Sequence, residues 1–433
     1  MSEYLPNIIF VSILFFGLYF FVRNLNRLYR NINLGKEINI RDNKKKRLLN
    51  MCKIALGQGK IIKRPVSGIL HVIVYIGFIV INIELLEIVL DGLLGTHRLF
   101  SNYLGSLYGY LIATFELLAD LVIISVSIFW IRRNVIKIKR FFGDNMKGWP
   151  KNDANFILYF EVILMTLFIT MNAADLRFQD MNSGNLISSY VADFFKGYSN
   201  DSLHIIERVC WWAHIIGILI FMNYLYFSKH LHILLAFPNT YFAKLNNLGE
   251  INNLNSVTKE VKLMMDPDMA FSNDGTDSEE IEKFGASDVM DLNKLQLLNS
   301  YSCTECGRCT SVCPANITGK KLSPRKIMMD TRDRIEEVGK NIDMNKDVFV
   351  PDGKSLLNDY ISKEELWACT SCNACVEECP ISIDPLSIIL DMRRYLVMEE
   401  SSAPLELNNM MSNIENNGAP WPYNQMDRLN WKE

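Results

Sequence analysis

Cys303-Thr-Glu-Cys306-Gly-Arg-Cys309-Thr-Ser-Val-Cys313-Pro314 recurs later in the chain as Cys369-Thr-Ser-Cys372-Asn-Ala-Cys375-Val-Glu-Glu-Cys379-Pro380. A CxxCxxC loop wraps three thiolates around a corner of a four-iron cubane, and the fourth cysteine of such a run commonly reaches the other cluster. The predicted ligand sets are therefore crossed. Cluster one takes Cys303, Cys306, Cys309 and Cys379; cluster two takes Cys369, Cys372, Cys375 and Cys313. Each proline ends its turn and removes one backbone donor. Zinc also uses CxxC pairs, usually as two separated pairs, and rarely a CxxCxxCxxxCP run. Two such runs point to two [4Fe–4S] clusters. With all eight thiols used as ligands, the pair reads as a wire and not as a catalyst.

Outward from the runs, the 433-residue chain divides into unlike parts. Its net charge of −3 gives no sign of nucleic acid as a partner. The expected organisation is a membrane domain over 1–240, an amphipathic and linker segment over 241–300, a cluster-bearing domain over 301–400, and a polar tail over 401–433. Asp266–Glu280 is acidic, with Gly and Ser, and reads as an exposed linker. Trp421, Tyr423 and Trp431 in the tail can dock on the protein itself or on a partner. Eight of ten cysteines sit in the two runs, which indicates cofactor ligation in a reducing compartment and not a disulfide framework. Cys52 and Cys210 read as ordinary thiols.

Before the runs lie five apolar segments near the roughly 20 residues needed to cross a bilayer. They are Leu5–Val22, Val66–Leu90, Tyr103–Ile131, Phe156–Met171 and Cys210–Phe227. The fourth has a short apolar core and contains Glu161. The segment Arg23–Arg64 carries 13 Lys and Arg, and Arg132–Lys151 carries 7. The other two loops together hold only Arg98, Arg177, Lys196 and Arg208. The positive-inside rule then puts the N-terminus outside and both basic loops in the cytoplasm of an inner membrane. After five spans the cysteine runs are cytoplasmic as well.

His214 and His232 are 18 residues apart, five turns and roughly 27 Å along a straight helix. His71 enters the second span from the cytoplasmic side, at the expected depth of His232. The two can ligate one haem b axially. The alternative is that these histidines cap helices or bond to other side chains. His230 is expected to face away from His232. Glu116 and Asp120 lie one turn apart in the third span. Intramembrane carboxylates are costly and usually functional, so a proton path or quinone site stands beside a structural role. Glu84 and Glu87 are expected near the outer headgroups.

Several stretches resemble known families. Phe284-Gly-Ala-Ser-Asp-Val-Met-Asp-Leu, Tyr301-Ser-Cys-Thr-Glu-Cys-Gly-Arg-Cys, Cys313-Pro-Ala and Leu322-Ser-Pro-Arg resemble the iron–sulfur subunit of heterodisulfide reductases. The resemblance implies a helical dicluster ferredoxin module. It also implies a cysteine-rich catalytic domain with CCG repeats; no CCG occurs here, so that domain is expected on a separate polypeptide. Leu70-His71, Phe227-Ser-Lys-His-Leu-His232-Ile and Pro238 resemble the gamma subunit of respiratory nitrate reductase and the heterodisulfide reductase cytochrome b. That family implies five spans in the same orientation and a second haem. The histidine expected ten residues after His71 is replaced by Ile81, leaving His214 without its usual partner; His97 or His204 are the substitutes in view.

The fold class expected is mainly α, a five-helix membrane bundle followed by a cytoplasmic helical ferredoxin-like domain. The function expected is an oxidoreductase subunit passing electrons between quinone, haem b, two clusters and a soluble catalytic partner. The alternatives are a membrane-anchored redox sensor or scaffold without turnover, and a haem-free relay that reduces quinone directly.

Overall fold

A computed structural model describes residues 4–38, 40, 42–181, 183–266 and 283–432, so most of the acidic linker lies outside the described residues. The described chain is helical, with only two isolated bridges and no strand. Five helices are long and apolar enough to cross a membrane: Leu5–Ile32, Pro65–Leu94, Ser106–Asn134, Trp149–Ala174 and Asn200–Phe227. Each extends past the apolar core read from sequence, because helical polar ends continue beyond the hydrocarbon. The chain is a membrane protein.

The second span begins on Pro65, whose missing N–H is no loss in a first turn, and ends at Gly95 with φ +71°. It packs on the third, the third on the fourth, and the fourth on the fifth. The first span lies against the second and fifth, and much of its surface is exposed, including Phe15, Phe16 and Phe20. Its anchor is Phe10, buried beside Trp211 at 5.5 Å between ring centroids. Phe10 sits over Gly92, where an added Cβ would meet the ring at 2.5 Å.

The fifth span does not run straight into the soluble part. Its α-helix stops at Tyr224 and gives way to two 3₁₀ turns, Leu225–Phe227 and Lys229–Leu231. Extended Ser228 separates them, its hydroxyl accepting from the His230 N–H. A new helix, His232–Phe242, then packs on Lys294–Ser302. The soluble core is built from that helix, Pro324–Met344 and Pro385–Met398. Arg334, 0% exposed, ties the core to its flanking loops through Asp288 at 2.9 Å and Asp352 at 2.6 Å.

The two modules are joined over a broad face. Asn31 donates to the Tyr301 hydroxyl at 3.0 Å, Arg64 pairs with Glu378 at 2.6 Å, and Asn239 donates to the Ile381 carbonyl at 2.7 Å. Arg325 donates to the Arg140 carbonyl at 2.6 Å. The basic loops that the positive-inside rule singled out are thus the ones that receive the cysteine-bearing domain.

Candidate metal centres

The two cysteine loops share one backbone. Two residues after the first cysteine of each run, Glu305 and Ser371 both hold φ +54°. Two residues further on, Gly307 has φ +69° and Asn373 φ +59°. Non-glycine residues seldom occupy this region, and strained backbone of this kind collects at functional sites. Repeating the left-handed pair in both loops curls each around its own thiols. At the first loop glycine is required for space as well, since a Cβ on Gly307 would lie 2.7 Å from Arg325 Nη1 and 2.9 Å from the Arg140 carbonyl.

Cys303, Cys306, Cys309 and Cys379 line one cavity, together with Cys375. Burial pushes the Cys303 thiol up to about 12 and Cys379 up to about 11, with repulsion from Cys306 adding to both. Burial likewise raises Cys369 and Cys375, and each feels Cys313. Cys375 also acts on Cys309, so the electrostatic neighbours do not separate the eight thiols into two closed sets. Thiols so buried hold negative charge only beside a cationic group, and all ten cysteines are free of disulfides. Among the described residues no three Cys, His, Asp or Glu side chains converge on one point as a single ion requires. The first quartet surrounds a space, as fits a polynuclear group. Backbone N–H groups point at the sulfurs: Ser371 donates to Cys369 Sγ at 3.4 Å and Ile383 to Cys379 Sγ at 3.2 Å. Such bonds tune cluster potentials. The second loop lies nearer solvent, with Cys372 exposed.

His71 and His232 come together at the end of the bundle that meets the cysteine-bearing domain, with ring centroids 6.3 Å apart. Metal–imidazole bonds run near 2 Å, and a ring nitrogen lies about 1.1 Å from the ring centre. Two imidazoles on opposite faces of one iron therefore have centroids roughly 6 Å apart. His232 Nδ1 lies 3.1 Å from the Lys229 carbonyl. A carbonyl only accepts, so Nδ1 carries the proton and Nε2 keeps a free lone pair, the usual arrangement of a ligating histidine. His71 Nδ1 is buried with no partner. Both rings line a cavity of about 440 Å³ with Tyr75, Phe78, Phe129 and Phe237. Cys306 and Ile381 line this cavity and also the cavity of the first quartet.

His230 does not face away. It stacks on His232 at 5.5 Å and 28°, and its Nε2 is 3.8 Å from Glu161. On one regular helix, residues two apart point to different sides; the 3₁₀ turns before His232 bring both rings to the same side. The same break removes the straight-helix distance from His214 to His232.

His214 is buried, with Nδ1 3.0 Å from the Leu164 carbonyl, so its Nε2 is also free. It lines a smaller cavity, about 120 Å³, with Ile81, Glu84 and His230 among its walls. Neither substitute ligand reaches it. His97 is held by Asp175 at 3.1 Å, and His204 is exposed near Glu207. Glu84 and Glu87 are buried within the bundle. Glu87 accepts from the Phe100 N–H at 2.7 Å and the Tyr108 hydroxyl at 3.0 Å. Glu116 accepts from Asn172 at 3.1 Å and from the N–H groups of Ile187 and Ser188 at 2.8 and 3.0 Å. These bonds tie the loop at Ile187 and Ser188 to the bundle. Trp421, Tyr423 and Trp431 are exposed.

Residues 302–383 match a 4Fe–4S dicluster domain. Two iron–sulfur clusters are thereby supported. The chain is 28% identical, over 98% of its length, to the probable iron–sulfur-binding oxidoreductase FadF of Bacillus subtilis. It is 26% identical over 91% of its length to the EtfAB:quinone oxidoreductase of Syntrophomonas wolfei. It spans 60% and 55% of those two proteins. Over 28% of the chain and 60% of the relative, it is 32% identical to a subunit of the ferredoxin/F(420)H(2)-dependent CoB-CoM heterodisulfide reductase of Methanosarcina acetivorans. No solved structure matches. Two of these relatives are named as oxidoreductases and the third as a reductase subunit.

Proposed function

We propose that the chain is a membrane-bound electron-transfer subunit linking the quinone pool, through a haem b held by His71 and His232, to a soluble catalytic partner. The observation that carries this reading is the adjacency of two cavities. The pair His71/His232 and the quartet Cys303, Cys306, Cys309 and Cys379 share Cys306 and Ile381 as a common wall.

When bound, haem and the two clusters supply one-electron carriers. The chain's own part is to hold them in series. His71 and His232 would grip the haem at the cytoplasmic end of the bundle. The first quartet would seat a cluster beside it. Cys369, Cys372, Cys375 and Cys313 would seat the second cluster toward the surface, where Cys372 is exposed. The partner met there would be a cysteine-rich CCG-type catalytic unit, as the heterodisulfide reductase resemblance implies. The orientation has the N-terminus outside and the cysteine runs in the cytoplasm, on the distribution of Lys and Arg. His214 has a free Nε2 but no opposing ligand, so one haem is proposed and not two.

The test is a dithionite-reduced minus air-oxidised visible spectrum of the full-length protein, wild type beside His71→Ala and His232→Ala. A sharp b-type band in wild type, absent from both variants, is expected. Broad iron–sulfur bleaching with no sharp band in wild type would sink the cytochrome reading and leave the haem-free relay or the sensor.

A further inference from the structure

We propose that Arg133, in the last turn of the third span, and Arg140, on the loop that follows it, form an anion cradle that receives the two propionate carboxylates of the haem; the inference rests on the His71/His232 reading above.

Both arginines line the cavity that holds His71 and His232. Arg133 is 8% exposed, and its Nε is buried with no hydrogen-bond partner. The Nε of Arg140 is in the same condition. Arg133 Nη2 reaches only the carbonyls of Pro150 and Lys151, each at 3.4 Å. The two guanidinium groups lie over Phe141, at 5.3 and 5.0 Å from its centroid. That packing fixes their planes and leaves both Nε donors uncommitted. An arginine cannot shed its charge, so a buried guanidinium without an anion is expensive.

The acids lining this cavity do not meet that need. Glu305 is taken by Lys229 at 2.5 Å and Arg332 at 2.9 Å. Glu161 lies against His230. The wall is otherwise largely apolar. The missing partner is therefore an anion attached to a flat apolar body, presenting its charge at the cytoplasmic rim. A Cβ on Gly307 would lie 3.4 Å from Arg140 Cβ, so Arg140 sits against the first cysteine loop. Carboxylate or phosphate would satisfy the same donors, and the phosphate of an anionic lipid is the competing source.

The experiment uses full-length, haem-depleted protein: wild type, Arg133→Gln, Arg133→Lys and Arg140→Gln. Each is titrated with haemin and with haemin dimethyl ester. Iron–sulfur content serves as the fold check, and phospholipid phosphorus per chain is measured alongside. Wild type should bind haemin about 10- to 100-fold more tightly than either Gln variant, the loss expected for hydrogen bonds to a charged group. Arg133→Lys should recover part of it. The dimethyl ester, lacking the anions, should bind wild type as weakly as haemin binds the Gln variants. If Arg133→Gln fails to fold, Arg140→Gln and the ester still decide. Unchanged haemin affinity in the Gln variants overturns the cradle, and so does loss of bound phospholipid without loss of haem affinity. Those two results leave the haem reading standing; a wild type that takes up no haem overturns both.

Discussion

The two ends of the membrane bundle treat buried polar groups in opposite ways. At the end away from the cysteine-bearing domain the groups close on one another, Glu84 Oε2 excepted. Arg98 donates to Asp175 at 2.7 Å, to the Tyr108 hydroxyl at 3.1 Å and to Asn172 at 2.8 Å. Tyr108 passes the network to Glu87, and Asn172 to Glu116. At the end beside the cysteine-bearing domain His71 Nδ1, Arg133 Nε and Arg140 Nε are buried with no partner. A satisfied buried network rigidifies, whereas a buried donor left open costs free energy until something fills it. Charge inside a membrane segment therefore does not mark function by itself. The unfilled donors mark it, and they lie on the side of the cysteines.

The largest effect should come from breaking the closed end. Arg98→Met leaves buried Asp175 with His97 as its one remaining ion partner, and the expected loss is about 3–5 kcal/mol at neutral pH. Burial alone would raise Asp175; His97 and Arg98 hold it well below the usual carboxylate range instead. In wild type the stabilisation from ionised Asp175 is present above the ordinary aspartate pKa and is lost as pH falls through the depressed value. In the variant the burial effect gains weight, the pKa rises, and protonation relieves the penalty. The deficit should therefore shrink as pH falls, as thermal melts across the acid range would show. The haem and cluster spectra of surviving protein should not change; if they do, the ends are not independent.

A smaller effect is expected at the junction of the modules. Lys229→Met removes the bond to Glu305, worth about 1.5–3 kcal/mol for a charged pair. Because Glu305 lies in the first cysteine loop, cluster one should be lost at lower denaturant than cluster two, followed by electron paramagnetic resonance. Equal loss of both would show that the loop draws no particular support from the membrane side.

The smallest change tests the closed network from within. Glu116→Gln keeps one acceptor oxygen and should cost about 1 kcal/mol. Its electron-transfer rate with a quinone analogue, measured in membranes, should equal wild type. A large fall in rate with unchanged stability would restore a proton path through Glu116.

Much of this molecule is legible along the chain because its strongest signals are local. Five apolar runs and two cysteine runs declare helices and clusters within short windows, and the basic loops declare which side they share. The histidine pair is reachable because depth in a bilayer is nearly a function of position in a span. The break after Tyr224 is not, since no proline or glycine stands there, and with it goes the expected direction of His230. The partners of Glu116 come from a loop about 70 residues away. Arg133 and Arg140 read as ordinary positive-inside residues; only packing shows that their donors are buried and unfilled.

Lys229 binds the two proposed redox sites with a single residue. Its carbonyl orients His232 through Nδ1, and its ammonium holds Glu305 between Cys303 and Cys306. Electron tunnelling falls off exponentially with the gap between carriers, so a gap that breathes gives an erratic rate. Here the imidazole and the cysteine loop hang from one backbone position, and thermal motion would carry them together. The conductance of the junction would then be set by the rigidity of one lysine, and not by how firmly the two domains as a whole are pressed against each other.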